Sequence, residues 1–341
     1  MSDREPRTAP ASELLPTLLG DYWFHSRAYI PSAALVRLLG EFGVGADAAR
    51  AALSRQARKG RLEVVRRGRH TAYRLARQLL DAAAEQGRRL MRFGAEPVAW
   101  DGRWTCVAFS VPESDGHLRP VLRKRLRALG LGTLFDGLWI TPHAPLEALD
   151  RCLTDLGIAD AVVLRATHVP RPTGVSLVDA WDLPALRRRY DELIALVGGI
   201  QERLDGRAIP AAEALVARTE LMRRWRALAL TDPQLPDELL PADWPRNTAR
   251  ARFVEAYDAL GPLAELRVRE LVAAAGGGAD GLDGADGPRH HRVDEIAGAP
   301  GAGAPDGGAP GRADADPGRA SGGGDPPAPE RAARHGPSIT G

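Results

Sequence analysis

The sequence has little of what secretion, membrane insertion or metal chemistry would require. Its 341 residues contain two cysteines, Cys106 and Cys152, too few and too far apart for a disulfide framework. Neither has Cys or His neighbours at the spacing of a zinc site. Both are expected to be buried, reduced thiols. The eight histidines show no ligand spacing either, so no metal and no cofactor is expected. No apolar run approaches the roughly 18 residues of a membrane span. The first ten residues, MSDREPRTAP, carry mixed charge and lack the apolar stretch of a secretory leader. These absences predict a cytoplasmic protein with no membrane partner. Large apolar side chains are also scarce at one end: residues 276–341 hold 18 Gly and 9 Pro and almost nothing that could offset the entropy of ordering. That tail is expected to be disordered, and its removal to leave function intact.

What is present is a local excess of positive charge. The whole chain carries a formal charge of only +2, yet Ala46 to Arg77 holds ten Arg or Lys against Asp47 and Glu63, a net +8 in 32 residues. Wound as a helix, Ala46 to Lys59 places Arg50, Ser54, Arg55, Arg58 and Lys59 on one half and Ala49, Ala52, Leu53 and Ala57 on the other. Gln56 is the polar exception on the apolar half. Gly60 suits a left-handed C-cap. Leu62 and Val64 then alternate, an Arg66-Arg67-Gly68-Arg69-His70 tip intervenes, and Thr71, Tyr73 and Leu75 alternate again, which predicts a basic β-hairpin. Arginine neutralises phosphates and makes bidentate contacts to guanine edges, so this density suits duplex DNA.

Two helices precede the basic one. Leu14, Leu15, Leu18, Leu19 and Tyr22 form a stripe after Ser12, a candidate N-cap, and Leu35, Leu38, Leu39 and Phe42 form another that ends at Gly43. Helix, helix, helix, hairpin is the order of a winged helix-turn-helix. A linker helix follows and stops before Pro97. Trp104 to Val111, Leu118 to Leu129, Thr133 to Phe135, Leu138 to Thr141, Pro145 to Leu156 and Ala161 to Val169 read as βαββαβ, a ferredoxin-like order. From Leu183 only helical periodicity remains. The expected class is α+β, partitioned as a winged helix-turn-helix at 12–77, linker helix at 78–97, ferredoxin-like domain at 98–174, helical C-terminal domain at 175–275 and disordered tail at 276–341.

Several blocks then carry a family resemblance: LLGDYW (18–23), AARAALSRQARKG (48–60), RRGRHTAYRL (66–75), WDGRW (100–104), FSVPE (109–113), GLWITPH (137–143) and LTDPQLPDELLPADWP (230–245). In this order the chain resembles the PaaX family of bacterial transcriptional regulators from about Leu14 to Leu271. The resemblance implies a DNA-binding winged helix, a middle domain similar to small CRISPR-associated ferredoxin-like nucleases, and a helical C-terminal domain. It also implies a repressor of a phenylacetate or related acyl-coenzyme A catabolic operon, released by phenylacetyl-coenzyme A or another acyl thioester.

The middle domain raises an alternative, a metal-dependent nucleic-acid enzyme. Such nucleases place a metal-binding carboxylate at the end of the first strand, whereas this strand ends Phe109-Ser110-Val111, with Asp101 before it and Asp115 after it. No catalytic residue is assigned. A non-specific architectural DNA binder is a further alternative. The expected DNA-binding residues are Arg50, Ser54, Arg55, Arg58, Lys59, Arg66, Arg67, Arg69 and His70. Arg223, Arg224, Trp225 and Arg226 are a candidate effector cluster, cations for phosphates beside an aromatic for an acyl group. One recognition helix reads few base pairs, so a homodimer on double-stranded operator DNA is expected, nucleoid-associated when bound.

Overall fold

The computed structural model describes residues 9–23, 26–168, 175–206, 209–276 and 287–298. Most of the expected disordered tail, 277–286 and 299–341, lies outside the described residues. The chain is mixed α and β, with two separate antiparallel sheets.

Helices α1 (Ala11–Trp23), α2 (Ser32–Gly40) and α3 (Ala46–Arg58) precede the hairpin β2 (Leu62–Arg67) and β3 (His70–Leu75). A two-residue strand, β1 (Ile30–Pro31), pairs with β3 to give the order β1-β3-β2. The α1 helix begins at Ala11, so Ser12 lies inside it and is not its N-cap. Gly43 and Gly60 both have positive φ, 76° and 67°, as chain reversals after α2 and α3 require. The helix stripes read from sequence are buried: Leu14, Leu15, Leu18, Leu35, Leu39 and Leu53 form one core. That core is shared, because Leu215, Ala264, Val268 and Leu271 from the C-terminal helices complete it.

Helix α4 (Arg77–Arg92) leads out of the hairpin. Next come β4 (Trp104–Phe109), α5 (Leu118–Ala128), β5 (Gly132–Phe135), β6 (Leu138–Thr141), α6 (Leu146–Asp155) and β7 (Ala161–Ala166). Their sheet has the order β5-β6-β4-β7. Val107 and Trp139 pack with Leu122, Leu126, Leu149 and Leu153, so both helices cover one face. Cys152 is buried, but Cys106 is only half-buried, because it lies on the face the helices leave open.

Three long helices follow: α7 (Leu183–Asp205), α8 (Ala211–Thr231) and α9 (Arg246–Ala274). Tyr190, Leu193, Leu221, Trp225, Phe253 and Tyr257 form their core. A short tenth helix, α10 (Val293–Gly298), corrects the expectation that everything beyond residue 276 lacks structure. Val293 and Ile296 are 3% and 5% exposed and join this core. Two aliphatic side chains three residues apart bury one face of a single turn, which average tail composition concealed.

Candidate nucleic-acid interface

The α3 helix is held by its small face. Ala49, Ala52 and Leu53 are buried, and the alanines let α3 approach α1 and α2 closely. Gln56 is buried as well and accepts a hydrogen bond from Arg61 Nη1 at 3.4 Å, so the polar exception is partly satisfied by the residue that opens the hairpin. The opposite face, with Arg50, Ser54, Arg55 and Arg58, is exposed, as are Lys59 and the tip residues Arg66, Arg67, Arg69 and His70. All nine expected DNA-binding residues therefore lie at the surface on one continuous stretch of chain.

Not every cation in this stretch is available. Arg74 is bound to Glu63 through Nε at 2.8 Å and Nη2 at 2.6 Å, and sits 4.5 Å from the Tyr29 ring centroid. Glu63 also accepts from the Arg77 backbone N–H at 3.0 Å. These contacts, the Arg77 amide first, hold the Glu63 carboxyl below its ordinary range. Glu63 thus clamps the base of the hairpin and consumes part of the positive charge. Arg50 contacts Asp47 at 2.9 Å, both side chains well exposed, a pair that a phosphate or base edge displaces at small cost. Arg55, Arg58, Lys59, Arg66 and Arg69 form no ion pair with a described residue. Val64 is 43% exposed, whereas Leu62 on the same strand is buried in the core.

The unit carrying this surface is fastened to α8 and α9. Arg267 meets Glu41 at 2.7 Å and Arg223 meets Glu13 at 2.9 Å. Between them lies Arg218, fully buried, whose Nε donates to the Tyr257 carbonyl at 3.2 Å and whose Nη2 donates to the His291 carbonyl at 2.9 Å. Its guanidinium stands 3.7 Å from the Tyr257 ring centroid, and its Nη1 is 3.9 Å from Asp21 Oδ2 on α1. One arginine thus joins α1, α9 and the segment before α10. Burial raises the Asp21 carboxyl to about 6, against the opposing pull of Arg218.

The expected effector cluster does not converge on one cavity. Trp225 is fully buried, stacks on Phe253 at 4.4 Å with a 9° interplanar angle, and donates its indole N–H to the Leu90 carbonyl at 3.0 Å. Arg223 and Arg224 pair with Glu220 at 2.5 and 2.8 Å. Residues 223–226 are successive on a helix, so their side chains diverge by about 100° each; adjacency in sequence hid this. Arg226 alone, half-buried, lines a cavity. In the middle domain the basic helix is also engaged: Arg119 donates to the Val111 carbonyl at 2.7 Å, and Arg123 and Arg125 contact Asp136 and Asp155 at 3.3 and 3.2 Å. Asp101 is paired with Arg165, Asp115 is half-buried in the short 3-10 helix Glu113–Asp115, and among the described residues no cluster of three His, Cys, Asp or Glu could hold a metal.

Comparisons with known proteins identify relatives of the chain. Residues 10–79 match the family described as PaaX-like protein, 97–178 the PaaX protein central Cas2-like domain, and 181–269 the PaaX-like protein C-terminal domain. The transcriptional repressor PaaX of Escherichia coli (strain K12) is 30% identical, over 76% of this chain and 83% of the relative. A solved structure, the uncharacterized protein Rv0674 from Mycobacterium tuberculosis, matches with a TM-score of 0.51 at 25% identity, covering 79% of this chain and 99% of that one. The class so defined is the DNA-binding transcriptional regulator, not an enzyme. Within that class, the chain belongs to the PaaX family.

Proposed function

We propose that the protein is a repressor that binds operator DNA as a homodimer in the cytoplasm, at the nucleoid, and is released by an acyl-coenzyme A thioester such as phenylacetyl-coenzyme A. The single observation that carries the DNA half is the exposed face of α3 with the hairpin tip, where Arg55, Arg58, Lys59, Arg66 and Arg69 have no ion pair among the described residues. Three helices followed by a hairpin support a winged helix-turn-helix at 12–77, in which α3 enters the major groove and the tip reaches phosphates. Arg50 and Ser54, early on the exposed face, read bases; Arg67 and Arg69 contact the backbone. The strand order β5-β6-β4-β7 with two helices on one face supports a ferredoxin-like middle domain that transmits or dimerises. The linker at 78–97 and the helical domain at 175–275 complete the partition.

The role of repressor is taken from the Escherichia coli relative's name, and the thioester from the family resemblance. Footprint length and stoichiometry on the adjacent promoter, measured by electrophoretic shift and light scattering, test the DNA half. A two-fold site of two half-sites with two chains bound is expected. Full-affinity binding of a single chain to one short half-site refutes the dimer, and equal affinity for promoter and random duplex refutes specific regulation.

A further inference from the structure

Helix α4 does not merely link two domains; it roofs a cavity. Beneath it lies a space of about 430 Å³, within the range of small-molecule sites. Its apolar walls come from every neighbouring part of the fold: Leu19 of α1, Leu62 of the hairpin, Leu79 and Leu90 of α4, Met222 of α8 and Ile296 of α10. Six polar side chains interrupt that lining: Thr17, Asp21, Gln56, Arg61, Gln86 and Arg226. Gln56 is the buried glutamine of the basic helix and Arg61 its hydrogen-bond partner. Asp21 is 5% exposed, and its Oδ2 accepts no hydrogen bond of ordinary geometry.

A second space, a groove of about 740 Å³, shares Ala82, Gln86, Leu90 and Arg226 with the cavity as common walls. Three arginines line it, Arg89, Arg92 and Arg226, with Glu85 as the acidic member. Glu85 is already held by Arg88 at 2.7 Å and by Arg89 at 2.9 Å. Arg226 forms no ion pair with a described residue. An apolar chamber that shares Arg226 as a wall with an arginine-lined groove matches one kind of ligand, a ring-sized apolar body with an anionic extension.

We propose that this cavity and groove form the effector site, with the apolar body under α4 and the anionic extension on Arg226, Arg89 and Arg92. The proposal rests on the ligand-release half of the function above and adds its location and its route to DNA. The route is short. Gln56 and Arg61 belong to the end of the basic helix and the start of the hairpin, so an occupant touches the DNA-reading unit directly while bracing on α4, α8 and α10. It therefore biases how α3 sits against its support. Moving a regulator from 99% to 1% bound requires roughly a 10⁴-fold preference for the released arrangement; two sites in a dimer would each supply about 100-fold.

The test uses the full chain and two probes: anilinonaphthalene sulfonate, an apolar ring system bearing an anion, and phenylacetyl-coenzyme A, with phenylacetate and coenzyme A alone as separate arms. Amide exchange of the unaltered protein, saturated with each probe, should show protection in 79–92. Ala83→Trp, which fills the chamber, should weaken both probes at least tenfold. Arg226→Glu should weaken the thioester at least tenfold and leave phenylacetate nearly unaffected. If the thioester releases DNA but protects only segments away from 79–92, or binds both folded variants with unchanged affinity, the site is wrong and the release reading stands. If the sulfonate protects 79–92 while no thioester releases DNA, the site stands and the release reading falls. Should Ala83→Trp not fold, the exchange pattern and Arg226→Glu decide alone.

Discussion

Replacing Arg218 by methionine removes the main cation that offsets Asp21 in the joint between α1, α8 and α9. The methionine fills much of the same volume, so the loss is mainly electrostatic. Breaking a buried pair by deleting one partner costs about 3–5 kcal/mol, because the remaining charge is left without compensation. For a chain of this size that lowers the melting temperature by roughly 10 °C. The pH dependence identifies the cause. Asp21 titrates near 6 in the folded protein against an ordinary 3.8, so the folded state binds more protons than the unfolded one in that window. Stability therefore falls as pH rises from about 4 to about 6, then levels off.

Arg218 is the principal group lowering the Asp21 carboxyl, so its removal moves the upper end of the window to higher pH. The variant should lose clearly more stability, relative to the unaltered protein, at pH 8 than at pH 5.5. Urea denaturation at both pH values measures this. Adding Asp21→Asn should recover part of the loss at pH 8 and little at pH 5.5. Equal losses at the two pH values would refute an electrostatic origin and leave only the severed contacts to Tyr257 and His291.

Further outcomes follow from other parts of the molecule. Arg50→Ala should lower operator affinity by about 1–3 kcal/mol and relax base preference, whereas Arg67→Ala should weaken all duplexes alike and reduce the salt slope by about one; anisotropy titrations on operator and random DNA separate the two. Deleting 299–341 should leave melting unchanged, but deleting 277–341 should lower it and speed amide exchange in 77–92, because Ile296, the Arg92 contact to the Ala297 carbonyl and the Arg218 contact to the His291 carbonyl are lost. Ile296→Ala should cost about 2–5 kcal/mol, or the full docking energy of the segment if that is smaller. Gly261→Ala should cost about 1–3 kcal/mol, since a methyl there would lie 2.4 Å from the His290 ring and push it off Glu265; a thermal melt checks it.

Most of the helices, the hairpin and the basic surface were legible in the sequence, whereas β1 and α10 were not. Leucine stripes at helical spacing fixed α1 and α2, alternation around Gly68 fixed the hairpin, and the alanine face opposite Arg50 and Arg58 decided which side of α3 faces outward. These are local matters, set by side-chain periodicity within a dozen residues. What required tertiary structure was everything that depends on distant chain segments meeting. Glu63 neutralises Arg74 only because β2 and β3 pair in one register. Trp225 and the arginines beside it are adjacent in sequence, but helix rotation sends Trp225 into the core and leaves Arg223 and Arg224 paired with Glu220. The shared core of α1, α8 and α9, the burial of Arg218 and the docking of α10 join residues far apart in the chain, 73 positions for Arg218 and His291 and 205 for Arg92 and Ala297. No local pattern encodes such a meeting, since the energy that selects it is burial against surfaces formed elsewhere in the chain.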